Sequence, residues 1–255
     1  MFPLGEIPEY LRVKTPTSFA ASNDEVVMNA AFTLPPAAAT AGSAVSASDA
    51  CCRLCKAFAE TQTAATRVGA GEEVFLEGEE ADFVYRVEEG VLMSYRMLGD
   101  GRRQVVDFHL PGEFLGLEAG VEYSLTAQAV TPAKVVALGR RRLATLAADD
   151  VRLTRDLWSA TVGAYQRSQD HAAILARQSA TERVAAFLLS YARRIGAVRD
   201  MTLPMSRQDM ADFLGLAIHT VSRTLTHLEA DGLIAARSSR QVRLMRRDRL
   251  MALCP

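Results

Sequence analysis

Residues 205–229, MSRQDMADFLGLAIHTVSRTLTHLE, admit few folds. Ser206 can cap a helix, and Asp209, three residues on, takes the acid position of a capping box. Met210, Phe213 and Leu214 then fall on one side at helical spacing. Gly215 breaks the pattern, and because glycine takes positive φ without strain the chain can turn sharply there. A second helical pattern follows. Val221, Leu225 and Leu228 lie on its inner side; His219, Thr220, Ser222 and Arg223 lie on its outer side. Small Ala211, Gly215 and β-branched Val221 suit two helices that cross steeply at close range. The pattern predicts a helix-turn-helix whose second helix fits a DNA major groove. An ordinary helical hairpin with a polar outer face shares this period, so the flanking sequence must discriminate.

That sequence favours DNA. Gly232, Leu233, Ile234 and Ala235 begin a short apolar strand, Ser238-Ser239-Arg240 makes a turn, and Gln241, Val242, Arg243 and Leu244 return. A hairpin placed directly after a recognition helix makes the motif winged. From 203 to 255, eight arginines stand against five acids, whereas the whole chain carries a net charge of −1. The positive excess is local, as a phosphate-facing module requires. The expected contacts to double-stranded DNA are Ser206, Arg207 and Gln208 at the first helix, His219, Thr220, Ser222 and Arg223 on the second, and Arg240 on the hairpin.

At 255 residues the chain is long enough for two cores. No apolar run is long enough to cross a membrane, and acidic Glu6 and Glu9 replace the basic start of a signal peptide. Cytoplasmic location is therefore expected. Residues 30–50 are rich in Ala, Thr, Ser and Pro, and residues 1–50 read as a flexible extension. Its five acids against two bases disfavour a DNA-binding arm, although Phe2, Leu4, Tyr10 and Leu11 could dock on a surface. Cys51, Cys52 and Cys55 crowd together at a spacing that can serve zinc or an iron–sulfur cluster. No cysteine follows until Cys254, so a fourth thiolate is missing. The expectation is no metal and no cofactor. The alternatives are an iron–sulfur cluster or a thiol switch on these three cysteines.

Short strands with glycine turns run from 64 to 138: 74–76, 83–87, 91–97 and 102–110, punctuated by Gly78, Gly90, Gly99, Gly101 and Gly112. They predict a small antiparallel roll or barrel. Residues 140–176 read as one helix. Leu153, Leu157, Thr161, Ala164, Ser168, His171 and Leu175 recur every three or four residues, and periodicity alone makes this a surface helix packing on the roll. Ser179 and Glu182 open a further helix that buries Val184, Phe187, Leu188, Tyr191 and Ile195 and ends at Gly196. No phosphate loop and no nucleophile–histidine–acid arrangement is evident, and His109, His171, His219 and His227 are scattered. An enzyme is not expected.

The run SRQDMADFLGLAIHTVSRTLTHLEADGLI resembles the DNA-binding segment of the Crp/Fnr family of transcription regulators, and the FixK/Fnr branch most closely. The resemblance extends from about Val68 to the C-terminus and leaves out the first fifty residues. It implies an α+β architecture in three parts. These are a cyclic-nucleotide-binding-like β-roll 51–142, a long dimerisation helix 143–177 and a winged helix-turn-helix 178–255, preceded by the extension 1–50 that composition alone indicates. It implies a homodimer that works with RNA polymerase as an activator of low-oxygen or nitrogen-oxide respiration genes. A ligand-binding module acting through protein contacts is the other class. PGEFLG at 111–116 resembles the family's nucleotide cassette, but Leu117 stands where cyclic-AMP-binding members have a glutamate, and Tyr123-Ser124 where they have Arg-Ser. Burying a phosphate without an arginine is costly, so the roll should be a scaffold that has lost its nucleotide. Fnr-type members read TTGA-type half-sites with Glu-x-x-Ser-Arg; here the set is His219-Thr220-Val221-Ser222-Arg223.

Overall fold

The computed structural model describes residues 52–60, 65–118 and 120–254. All of them belong to one compact unit, Thr40–Pro255. The extension 1–50 and Cys51 lie outside the described residues.

Eight strands build the roll: β1 (Thr66–Val68), β2 (Glu73–Phe75), β3 (Phe83–Glu89), β4 (Leu92–Met97), β5 (Arg103–His109), β6 (Phe114–Leu115), β7 (Thr126–Ala129) and β8 (Ala133–Gly139). They form two antiparallel sheets, ordered β1-β8-β3-β6 and β2-β7-β4-β5. Val68, Phe75, Val87, Leu92, Leu115, Tyr123 and Val135 share one core in the roll. Gly116 has φ +79°, and a Cβ there would stand 2.8 Å from the Phe83 carbonyl, so the backbones at 83 and 116 approach as only glycine allows. The four strands read from sequence are present. The very short β1 and β6, and β7 and β8 beyond them, carried too little alternation to be placed one by one.

A short helix, α1 (Arg53–Glu60), buries Leu54, Ala57 and Phe58 against the outer side of the roll together with Val84, Leu138, Leu143 and Leu153. The helix expected over 140–176 is two helices, α2 (Arg140–Asp149) and α3 (Val151–Leu175). Asp150 divides them. Its backbone is extended (φ −126°, ψ 99°), and its carboxylate accepts the amides of Arg152 and Leu153. Aspartate satisfies free helix-start amides better than it supports a helix interior, so it starts a new helix instead of continuing the old one.

The remaining elements are α4 (Ala180–Arg194), β9 (Asp200–Thr202), α5 (Arg207–Leu214), α6 (Ile218–Ala230), β10 (Ile234–Ala236), β11 (Gln241–Leu244) and α7 (Arg247–Ala252). The wing is three-stranded, in the order β10-β11-β9. Arg243 holds β9 with a two-pronged pair to Asp200 at 2.7 and 2.9 Å. Val184, Phe187, Leu188, Met210, Phe213, Leu214, Val221, Leu228, Ile234 and Leu244 share a core with Val105 and Phe108 of the roll strand β5. The fold is α+β, with the roll, long helix and winged helix-turn-helix that the sequence implied.

A candidate DNA-reading surface

Helix α5 begins on a complete capping box. The Ser206 Oγ accepts the Asp209 amide at 3.0 Å, and the Asp209 carboxylate accepts the Ser206 amide at 2.9 Å. Gly215 adopts φ +62° and ends the helix in the left-handed region. Two residues later α6 starts after Ala217, which offers no side-chain cap. The first-turn amides of α6 therefore have no side-chain acceptor, and an anion placed there would be favoured by the helix dipole. Val221, Thr224, Leu225 and Leu228 are buried under α6, while His219, Ser222 and Arg223 are exposed along its outer face and Thr220 is half-buried at the edge.

The other sequence-predicted contacts divide. Ser206 and Gln208 are exposed at the start of α5, where the Gln208 amide donates to Asp212 at 2.6 Å. Arg207 is half-buried, and burial lowers its guanidinium pKa. Arg240 is exposed at the tip of the wing beside Arg237, a residue that the sequence reading passed over. Among the described residues, Arg223, Arg237 and Arg240 meet no carboxylate within ion-pair distance. Charge on this face is left for a partner. Row, wing tip and α5 start all project from one small core, which gives them a common rigid base.

What fixes this surface to the rest of the molecule is a set of side chains that sequence reasoning missed. Arg103 on β5 bonds Asp209 at 2.5 Å and Asp212 at 2.8 Å. The neighbouring Gln104 donates to the carbonyls of Asp212 at 2.8 Å and Phe213 at 3.3 Å. His171 on α3 is buried, stacks on Phe213 at 3.9 Å and places Nε2 2.7 Å from the Phe213 carbonyl. Arg183 on α4 donates to the Leu214 carbonyl at 3.1 Å. The last three carbonyls of α5 are thus taken by the roll, by α3 and by α4. Beside them, Asp107 of β5 bridges Arg167 (2.7 Å) and Arg194 (3.0 Å), and Arg194 also reaches Glu113 at 2.9 Å. The glutamate of the PGEFLG run therefore grips α4. Asp107 is half-buried, and against the opposing desolvation His109, Arg194 and Arg167 hold its carboxyl below the usual range. Burial pushes both His109 and His171 below the ordinary histidine value.

The two faces of α3 differ. Leu153 and His171 of the recurring set, with Ile174 beside them, are buried against the rest of the chain, as a helix packing on the roll requires. The outward face instead carries Val151, Trp158 and Tyr165, spaced by seven and 77%, 70% and 63% exposed. Seven-residue spacing keeps side chains on one stripe of a helix, as in helix pairs that wind together. Inside the roll, the Tyr123 ring stacks on Phe75 at 3.8 Å, and its hydroxyl donates to the Phe83 carbonyl and accepts the Phe83 amide. Leu117 packs against the Phe58 cluster. Apolar and aromatic groups occupy the two positions where a nucleotide would need charge. Cys52 is half-buried and Cys55 buried in α1. Among the described residues no group of three His, Cys, Asp or Glu side chains converges as metal ligands, and Cys51 lies outside them. No described helix is long and apolar enough to cross a membrane.

Two family models match the chain. One is the Crp-like helix-turn-helix domain over residues 182–253 and the other the cyclic nucleotide-binding domain over 65–150. The nitrogen fixation regulation protein FixK of Rhizobium meliloti (strain 1021) is 43% identical over 184 residues, 72% of this chain and 84% of that protein. The transcriptional activatory protein AadR of Rhodopseudomonas palustris is 40% identical over 66% of this chain and 72% of its own length. A solved structure of FixK2 from Bradyrhizobium japonicum superposes with a TM-score of 0.72 at 41% identity, covering 76% of this chain and 98% of that one.

Proposed function

Since the chain belongs to the Crp/Fnr family of DNA-binding transcription regulators and has FixK relatives, we propose that it acts as a homodimeric activator reading a palindrome of TTGA-like half-sites. The observation that carries this reading is the outer row of α6. Arg223 is exposed there without a carboxylate partner, with Ser222 and His219 beside it. An arginine fork matches the O6 and N7 of guanine, and a serine hydroxyl can bond a neighbouring base. Ser206 and Gln208 at the start of α5, and Arg237 and Arg240 on the wing, would take phosphates, which fix register without reading sequence. One such row reads too few base pairs to find a genomic site, so two copies are needed. The stripe Val151, Trp158 and Tyr165 on α3 is apolar surface that a second copy would cover. The protein carries out no catalysis. It works in the cytoplasm, recruits RNA polymerase and turns on genes for low-oxygen or nitrogen-oxide respiration, by analogy with its relatives.

Binding-site selection from random DNA tests the reading. The expected product is two inverted half-sites containing the guanine of TTGA, bound by one dimer. Selection of a single half-site by a monomer would reject it.

A further inference from the structure

We propose that Arg103 and Gln104 are positioning residues for DNA reading: from the edge strand β5 they fix the tilt of α5, and so set the separation at which the two recognition helices of a dimer meet DNA. The proposal rests on the palindrome reading above. Helix α5 has only eight residues, the chain passes from it to α6 through Gly215, Leu216 and Ala217, and both helices share one apolar core with α4, so α6 turns with α5 as part of one rigid module. Helix α6 has 13 residues, which is about 20 Å of helix. A tilt of the module by about 10° shifts one end of that length against the other by about 3.4 Å, the size of one base-pair step. Small rotations of α5 thus decide which spacing is read.

Apolar packing alone would not prevent such rotation. Phe213 lies against Phe108 at 5.3 Å and Phe187 at 5.5 Å, but burial of rings is non-directional and tolerates sliding. The polar contacts do not. Arg103 spans Asp209 and Asp212, one near each end of α5, with its guanidinium fork. A planar fork on two carboxylates is both strong and geometrically selective. Gln104 then fixes the C-terminal end through the Asp212 and Phe213 carbonyls. All these groups are half-buried, with side-chain exposures of 23% for Arg103, 14% for Asp209 and 12% for Asp212, so water competes little. Arg103 and Gln104 do not face DNA. They act through α5.

Retarded-mobility binding is measured on a panel of duplexes carrying two half-sites at varied separation, and on a single half-site. Wild type should favour one separation by at least about tenfold over its neighbours. Arg103→Gln combined with Gln104→Ala should flatten that preference to within about threefold, leaving single half-site affinity and the circular dichroism spectrum unchanged. Arg103→Asp should flatten it likewise, and Arg103→Asp with Asp212→Arg should restore it by re-forming the pair in reverse. An unchanged spacing preference in the double variant overturns the proposal. So does loss of half-site binding in every variant including the reversed pair, since Arg103 would then build the reading head instead of placing it. If wild type itself shows no preference for any two-site duplex over a single half-site, the palindrome reading fails, and this proposal with it.

Discussion

Arg223 is held on α6 by the burial of its neighbours Val221, Thr224 and Leu225, so its exposed fork is presented without a large search through helix geometries. Replacing it by alanine should weaken specific binding by about 1–3 kcal/mol and leave non-specific binding nearly unchanged, measured by competition against random duplex. His219 stands where the resemblance to Fnr-type regulators implies a glutamate. A glutamate only accepts hydrogen bonds, whereas a neutral imidazole donates from one nitrogen and accepts at the other. His219→Glu should therefore sharpen selection toward the TTGA-type palindrome; identical selected motifs would make His219 a bystander. Tyr123 invites a third measurement. Its ring fills the roll beside Phe75 and its hydroxyl is already committed to Phe83, so calorimetry with cyclic AMP should show no micromolar binding. Local chemistry of this kind was readable in advance. Ser206 and Asp209 form their capping box within four residues, and Gly215 takes the left-handed turn that its residue type suggests. Arg103 was not readable, because its carboxylate partners lie 106 and 109 positions further along the chain and no local period links them.

At the scale of elements, α3 shows what period alone could place and what it could not: it put the helix on the roll, where Leu153 and His171 are buried, and left the exposed stripe of the opposite face unread. A helix in a two-domain chain has several faces to satisfy, and a three-or-four-residue rhythm does not say which face meets which partner. The rhythm through Leu153 and His171 marks the face turned to the chain's own roll and winged module. The stripe of Val151, Trp158 and Tyr165 repeats every seven residues, and it stands out only once the other face is known to be covered. Trp158 is the chain's single tryptophan. Exchange of Trp158 for alanine should weaken dimerisation by about 2 kcal/mol or more, as loss of a central aromatic anchor does. Sedimentation analysis would show the shift to monomer, and dilution of wild type should move tryptophan emission to the red as the ring meets water. The divide at Asp150 is a second instance. The stretch 140–176 reads as one helix, yet the Asp150 carboxylate within it does more for the free amides of Arg152 and Leu153 at a helix start than it would inside a turn.

For the molecule as a whole, the two buried histidines at the junction give stability a pH dependence of definite sign. Burial lowers the pKa of His109, beside Asp107, Glu113, Arg167 and Arg194, and that of His171, beside Asp107 and the Phe213 carbonyl. Folding disfavours the protonated ring at both positions, while the unfolded chain takes up protons as pH falls through the ordinary value of 6.5. Stability is then complete above that value and declines below it. The depressed carboxyl of Asp107 acts in a lower window, since its contribution is present above the ordinary 3.8. Melting temperature should accordingly fall between pH 7.5 and 5.5, and His171→Phe should flatten part of that slope. Equal slopes for wild type and variant would remove His171 from the account.

The capture of the three α5 carbonyls by Gln104, His171 and Arg183 has a further consequence, for portability. The winged module looks like a part that could be cut out at residue 178 and grafted onto another roll. Two of its three clasps are left behind by that cut, since only Arg183 travels with it. A graft onto a scaffold whose facing strand and helix lack donors at these positions would carry open acceptors next to its own turn. A successful transplant has to bring residues 104 and 171 with the module, which makes the transferable part discontinuous along the chain.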